Sequence, residues 1–240
     1  MAERQIVAGS AGFQDTGSNP YQWCLGPVVR YALRCSGAAR PKLCWIGTAG
    51  GDTMLGLRGF YGATSGEAVQ ASHLQLFGRP NVDPRRHLLA QDVIWVHGGS
   101  VVNLLAVWRA HGLDAILRAA WERGIVLAGI SAGAICWHAG GNTDSFGAQL
   151  APVTDGLGFL PFSTCVHYDS EPARRPHYQS LVAAGTLGEG YATDDGVAIH
   201  YREREVHRVI ADTADRFAYR VLRSASGGVV EERLQPQLLS

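Results

Sequence analysis

Short apolar runs alternate with helical patterns along most of the chain. Gln5-Ile6-Val7-Ala8 predicts a first strand, followed by a Gly/Ser-rich loop through Pro20. Pro27 to Leu33 predicts a helix, and Lys42-Leu43-Cys44-Trp45-Ile46-Gly47 a second strand with a glycine-rich loop to Asp52. Ser65 to Ala71 predicts a helix, and another strand begins over His73 to Leu76. Pro84 to His87 precede a short helix that leads into the strand Asp92-Val93-Ile94-Trp95-Val96, which ends at His97-Gly98-Gly99-Ser100. Helical segments follow over Val102 to Trp108 and Leu113 to Arg123. Ile125-Val126-Leu127-Ala128 is a short buried strand, and Ala134-Ile135-Cys136-Trp137 starts a helix. Beyond about residue 155 the pattern turns β-rich, with hairpins expected over Val197–Tyr201 with Val206–Ile210 and over Phe217–Arg223 with Gly228–Arg233.

Strands separated by helices argue for βα units in a mostly parallel sheet flanked by helices, so the fold class is α/β with a β-rich C-terminal part. With no repeat, low-complexity stretch or clear linker, residues 1–240 are expected to form one domain. In such sheets ligands gather in loops beyond the carboxyl ends of the strands. Three loops qualify: Gly47 to Gly51, Gly98-Gly99 and the turn around Ser131. The first lacks a Walker or G-x-G-x-x-G pattern and reads as a structural turn.

Composition narrows the partners. Apolar residues make up 46% and charged residues 18%, which suits a globular chain rather than a disordered one. Acidic and basic residues balance at 21 each, so neither nucleic acid nor an anionic membrane surface is expected as a partner. No apolar run approaches the ~18 residues of a membrane span, and the N-terminus has no signal-peptide core, so a cytoplasmic location is expected. The five cysteines, Cys24, Cys35, Cys44, Cys136 and Cys165, form no C-x-x-C pair, which argues for reduced, mostly buried thiols and against a disulfide framework or a metal site. An exposed apolar helix face would allow a homodimer.

The chemistry centres on Gly129-Ile130-Ser131-Ala132-Gly133. A G-x-S-x-G turn between a buried strand and a helix start is the layout of a nucleophile elbow: small flanking residues permit a turn sharp enough to expose the serine hydroxyl. At the helix N-terminus, free N–H groups favour developing negative charge. Serine needs a base to accept its proton. His138 is expected seven residues along the same helix, too far to fold back. His200 and His207 read as sheet residues. His167 follows an extended apolar segment and precedes the polar Asp169-Ser170-Glu171-Pro172 loop, which makes it the leading base; His177, on a loop beside Pro176, is second. The base needs an acceptor on its other nitrogen. The Thr193-Asp194-Asp195-Gly196 turn offers one, and Asn142-Thr143-Asp144-Ser145, expected to close the helix that Ser131 opens, offers another. The N–H groups of Ala132 and Gly99 are the candidate oxyanion donors.

These residues resemble the peptidase E family of serine peptidases (family S51, which includes cyanophycinase), and peptidase E more than cyanophycinase. The resemblance rests on Val96-His97-Gly98-Gly99-Ser100 with Asn103-Leu104-Leu105, on Ala128-Gly129-Ile130-Ser131-Ala132-Gly133-Ala134, on Leu160-Pro161 with His167-Tyr168, and on Asp194-Asp195-Gly196. It implies a fold like class I glutamine amidotransferases, a flavodoxin-like three-layer sandwich with serine in place of cysteine. It implies Ser131 as nucleophile, His167 as base and Asp195 as acid, with Asp144 as the alternative acid. The implied activity is hydrolysis of short peptides, N-terminal Asp-X dipeptides among them, without metal or cofactor. Where the family typically carries Gly-Gly-Asn in the substrate pocket, this chain has Gly98-Gly99-Ser100, so Ser100 is a substrate-binding candidate. Arg174 and Arg175 are candidates for an acidic side chain. An esterase-like hydrolase with the same triad, or an inactive binding module on the same fold, are the alternative readings.

Overall fold

A computed structural model describes residues 3–17 and 22–239. The stretch of the predicted first loop at residues 18–21 lies outside the described residues, as do the first two residues and the last. The first half runs β1 (Gln5–Gly9), β2 (Gln14–Asp15), β3 (Trp23–Cys24), α1 (Pro27–Cys35), β4 (Lys42–Ile46), α2 (Met54–Thr64), β5 (Gln70–Leu74), α3 (Pro84–Leu88), β6 (Val93–Val96), α4 (Val101–Ala110) and α5 (Leu113–Glu122). The second half runs β7 (Val126–Ile130), α6 (Ala132–Ile135), β8 (His138–Thr143), β9 (Ala151–Val153), β10 (Leu160–Cys165), α7 (Arg174–Ala184), β11 (Gly190–Thr193), β12 (Val197–Arg202), β13 (Glu205–Ala211), β14 (Ala218–Arg223), β15 (Val229–Leu234) and β16 (Gln237–Leu238).

The main sheet has eight strands in the order β16-β13-β12-β1-β7-β6-β4-β5. From β1 to β5 every neighbour is parallel. The β12–β13 hairpin extends this sheet antiparallel to β1. Alternation along each strand splits the core into two layers. Val7, Leu43, Trp45, Val93, Trp95, Val126 and Ala128 face α1 and α2, while Ile6, Ala8, Cys44, Ile46, Ile94, Val96 and Leu127 face α3 to α6. Both faces are covered, so the central strands β6 and β7 are apolar throughout rather than alternating.

A second sheet, in the order β15-β14-β11-β10-β8-β9, packs under α7 through Cys165, Tyr178, Val182 and Ala192. The two predicted hairpins exist but part company: β12–β13 joins the main sheet and β14–β15 joins the second.

Four expected elements need correction. The short helix expected after His87 already starts at Pro84, as α3. The helix expected over Ser65–Ala71 lies earlier, as α2, and β5 already begins at Gln70. Glycines at 56, 59 and 62 hide that helix, each costing about 1 kcal/mol in intrinsic propensity. A Cβ on Gly59 would lie 2.6 Å from the Trp23 ring and one on Gly56 3.0 Å from Trp45, so the missing side chains let α2 pack directly against indoles. The helix expected to run from Ser131 through His138 ends at Ile135, and His138 to Thr143 form a strand. Gly140 and Gly141 lie so close to the Val153 and Thr164 carbonyls that a Cβ would meet them at 2.3 and 2.7 Å, and pairing with β9 and β10 decides the conformation. The segment around Pro176 is the first turn of α7 rather than a loop, where a proline costs no intrahelical donor.

Candidate active site

Ser131 sits between β7 and α6 with φ 58° and ψ −119°, a conformation that costs a non-glycine residue on the order of 1–3 kcal/mol. Both elbow glycines are obligatory. A Cβ on Gly129 would lie 2.2 Å from the Gly133 carbonyl oxygen, and one on Gly133 would lie 2.2 Å from that of Val96. The sharp turn therefore depends on β7, α6 and β6 approaching backbone to backbone. The Ser131 N–H is held by the Gly9 carbonyl at 3.0 Å. Ala132 and Gly133 occupy the first turn of α6, where N–H groups have no intrahelical acceptor.

The Gly98-Gly99 loop lies over the elbow. A Cβ on Gly98 would stand 3.2 Å from the Ser131 Cβ. Gly99 has φ 137°, and a Cβ there would strike the Ala49 carbonyl oxygen at 2.3 Å. The flanking N–H groups of His97 and Ser100 bond the Ile46 and Ala49 carbonyls at 3.0 and 2.9 Å, which pins the loop to the end of β4. The Ser100 hydroxyl caps α4 by accepting the Asn103 N–H at 3.2 Å. His97 itself is half-buried. Its ring packs 4.8 Å from Trp23 and 5.7 Å from Trp45, and burial pulls its pKa down to about 4.

His167 lies two residues past β10, with φ 55°. Its Nδ1 hydrogen-bonds Asp195 Oδ1 at 2.5 Å. That bond is the first cause holding the Asp195 carboxyl below its ordinary value. The neighbouring Asp194 is buried and turned away. It accepts the Phe217 N–H at 2.9 Å, and burial raises its pKa. Asp144 does not reach His167; it is 59% exposed and lies 3.5 Å from the Arg174 guanidinium.

A pocket of about 370 Å³ gathers these pieces. Its lining includes Gly99, Ser100, Ser131 and His167 together with Asp144, Ser145, Glu171 and Arg174. Arg174 is 3% exposed. Its Nε donates to Glu171 at 2.6 Å and its Nη1 to the Asn142 carbonyl at 3.2 Å. Arg175 points elsewhere. It pairs with Glu231 and stacks over Tyr168 and Tyr219, with its guanidinium carbon 5.2 and 4.9 Å from the ring centres, and so fastens α7 to the β14–β15 hairpin. His177 lies within α7 and meets Asn142 Oδ1 at 2.9 Å. The pocket thus brings together Ser131, His167, Gly99, Ser100, Arg174 and Asp144, with Asp195 behind His167, and its lining leaves out Ala132, Arg175 and His177. Sequence reasoning missed Glu171 and Ser145. Both follow strands at their carboxyl ends, which is the signal that could have found them. Among the described residues no group of three or more His, Cys, Asp or Glu could hold a metal ion, and no helix is long and apolar enough to cross a membrane.

Fold and elbow together define the class, an α/β serine hydrolase. The family model of peptidase family S51 matches residues 6–209. The chain is 41% identical over 222 residues to an uncharacterized peptidase of Bacillus subtilis (strain 168), YgaJ, covering 91% of this chain and 92% of that one. In fold it is similar to a peptidase from an acI-B1 actinobacterium, with a TM-score of 0.69 and 16% identity over 98% of this chain and 95% of that one. It is also similar to a peptidase E candidate from Listeria monocytogenes EGD-e, with a TM-score of 0.60 and 18% identity over 98% and 100% of the two chains. The chain belongs to peptidase family S51 and is a serine peptidase.

Proposed function

We propose that this chain is an exopeptidase that cleaves short peptides, Asp-X dipeptides among them, through Ser131, His167 and Asp195. The observation that carries the reading is the shared pocket: it is lined by an elbow serine and by a histidine whose Nδ1 is bonded to a carboxylate. With Nδ1 engaged by Asp195, the Nε2 of His167 is the nitrogen left to take the Ser131 proton as Oγ attacks the scissile carbonyl. The N–H groups of Gly99 and Ala132 receive the oxyanion. His167 returns the proton to the departing amine, and water then releases the acyl group by the same route in reverse. Asp195 steadies the imidazolium that forms in between.

Arg174, a lining residue held by Glu171, Asp144 and the Asn142 carbonyl, supplies the positive charge that supports recognition of an acidic first residue. Ser131→Ala and a dipeptide panel test the proposal together. The substitution is expected to lower kcat by several orders of magnitude on every dipeptide the wild type cleaves, and wild-type Ser131 is expected to label with a fluorophosphonate. Retained turnover in Ser131→Ala would falsify the assignment. A wild type that prefers short acyl esters to dipeptides would replace the exopeptidase reading with an esterase one.

A further inference from the structure

The residue pair at the end of β1 bonds Ser131, His167 and the turn that carries Asp195. The Gly9 carbonyl accepts the Ser131 N–H at 3.0 Å. The Ser10 Oγ accepts the His167 N–H at 2.9 Å. The Ser10 N–H bonds the Val197 carbonyl at 2.7 Å and its carbonyl accepts the Gly196 N–H at 3.1 Å, so Ser10 grips the turn that carries Asp195. Ser10 is buried, and its one hydroxyl hydrogen faces Thr193, whose carbonyl oxygen and Oγ1 lie at 3.0 and 2.7 Å. Donating to Thr193 directs an oxygen lone pair at the His167 N–H.

A second bracket acts from the solvent side. Asp169 Oδ1 accepts the Asp195 N–H at 2.8 Å, and its other oxygen pairs with Arg216. The need for brackets follows from topology. Ser131 hangs from the main sheet, His167 from the end of β10 in the second sheet, and Asp195 from the link between β11 and β12, which crosses from one sheet to the other. Any shift between the sheets would move the base relative to the nucleophile. A misplacement of about 1 Å can cost about 100-fold in rate.

We infer that Ser10 and Asp169 are positioning residues that hold the His167–Asp195 pair in register with Ser131 across the junction of the two sheets. The inference rests on the triad reading above. Neither side chain reaches the pocket lining, so both act through the backbones of the reacting residues.

The test uses the full chain with Ser10→Ala, Ser10→Thr and Asp169→Ala. The rate of fluorophosphonate labelling at Ser131 is read by mass spectrometry, and kcat and KM are measured on a dipeptide the wild type cleaves. Ser10→Ala and Asp169→Ala are each expected to slow labelling and kcat by about 10- to 100-fold, with KM changed less than about threefold. A purely structural role would lower the melting temperature and leave these rates unchanged in the folded protein. Ser10→Thr keeps the acceptor oxygen and is expected to retain more activity than Ser10→Ala. Two folded variants no different from each other would count against the hydroxyl. Asp169 is an exposed residue, so its substitution leaves the core intact and decides the matter should Ser10→Ala not fold. Wild-type labelling and kcat in the folded alanine variants overturn the inference alone. A wild type that never labels at Ser131 overturns the triad reading, and this inference with it.

Discussion

Replacing Asp195 by asparagine isolates the charge behind His167. The amide keeps the size of the carboxylate, so packing in the Thr193–Gly196 turn is preserved. What disappears is the attraction between the carboxylate and the positive charge that His167 carries only after taking the Ser131 proton. With the ring and carboxylate charges about 4 Å apart, that attraction is worth about 1 kcal/mol in water and about 4 kcal/mol near a protein surface. The Asp195 side chain is 45% exposed, which places it between these limits. Because the charge exists only along the reaction path, the loss falls on kcat rather than on binding. At 1.36 kcal/mol per tenfold, kcat should drop by about 5- to 900-fold. An amide that turns its NH2 toward Nδ1 would enforce the wrong tautomer and push the loss to the upper end. Steady-state kinetics on a cleaved dipeptide, with circular dichroism to confirm folding, give the answer. A kcat within about threefold of wild type refutes the electrostatic argument, and a larger loss for Asp144→Asn than for Asp195→Asn refutes the choice of acid.

Other expectations follow from the same geometry. Gly99→Ala places a Cβ 2.3 Å from the Ala49 carbonyl oxygen at φ 137°, so thermal unfolding should show a loss of about 2–5 kcal/mol together with lost activity. Arg175→Ala removes the clasp between α7 and the β14–β15 hairpin. It should cost about 1–2 kcal/mol of stability by denaturant titration while leaving kcat intact. His97, His138 and His200 are each held at about 4, chiefly by burial. Their unfolded values lie near 6.5, so the unfolded chain binds more protons in between, and the stability present above about 6.5 is lost as pH falls toward 4. Melting temperatures measured from pH 7 to pH 4 should fall steadily, and His138→Gln should flatten the decline.

Much of the candidate site is legible in the sequence, because its constraints are local. A G-x-S-x-G turn after an apolar run is its own signature, since only small residues allow three backbones to meet around Ser131. Gly98-Gly99 at the end of β6 is legible for the same reason. Other features were hidden because their causes are remote. The helix α2 carries glycines that look like breakers until Trp23 and Trp45 are seen against them. The arginines 174 and 175 are adjacent in the chain, yet the step of about 100° between neighbouring helix positions puts the first in the pocket lining and the second on Tyr168 and Tyr219.

The sequence by itself determined the alternation of strands and helices, the elbow at Ser131, and His167 as the histidine placed at a strand end. These depend on periodicity and on turn chemistry within a few residues. Tertiary structure alone decided which carboxylate meets His167. Asp144 and Asp195 both follow strands, but Asp144 is drawn to Arg174, while the Asp195 turn is gripped by Ser10 and Asp169 so that its oxygen lies 2.5 Å from Nδ1. The physical reason is that a hydrogen bond is made or lost within a few tenths of an ångström, and that position is set by the junction of two sheets whose strands come from both ends of the chain.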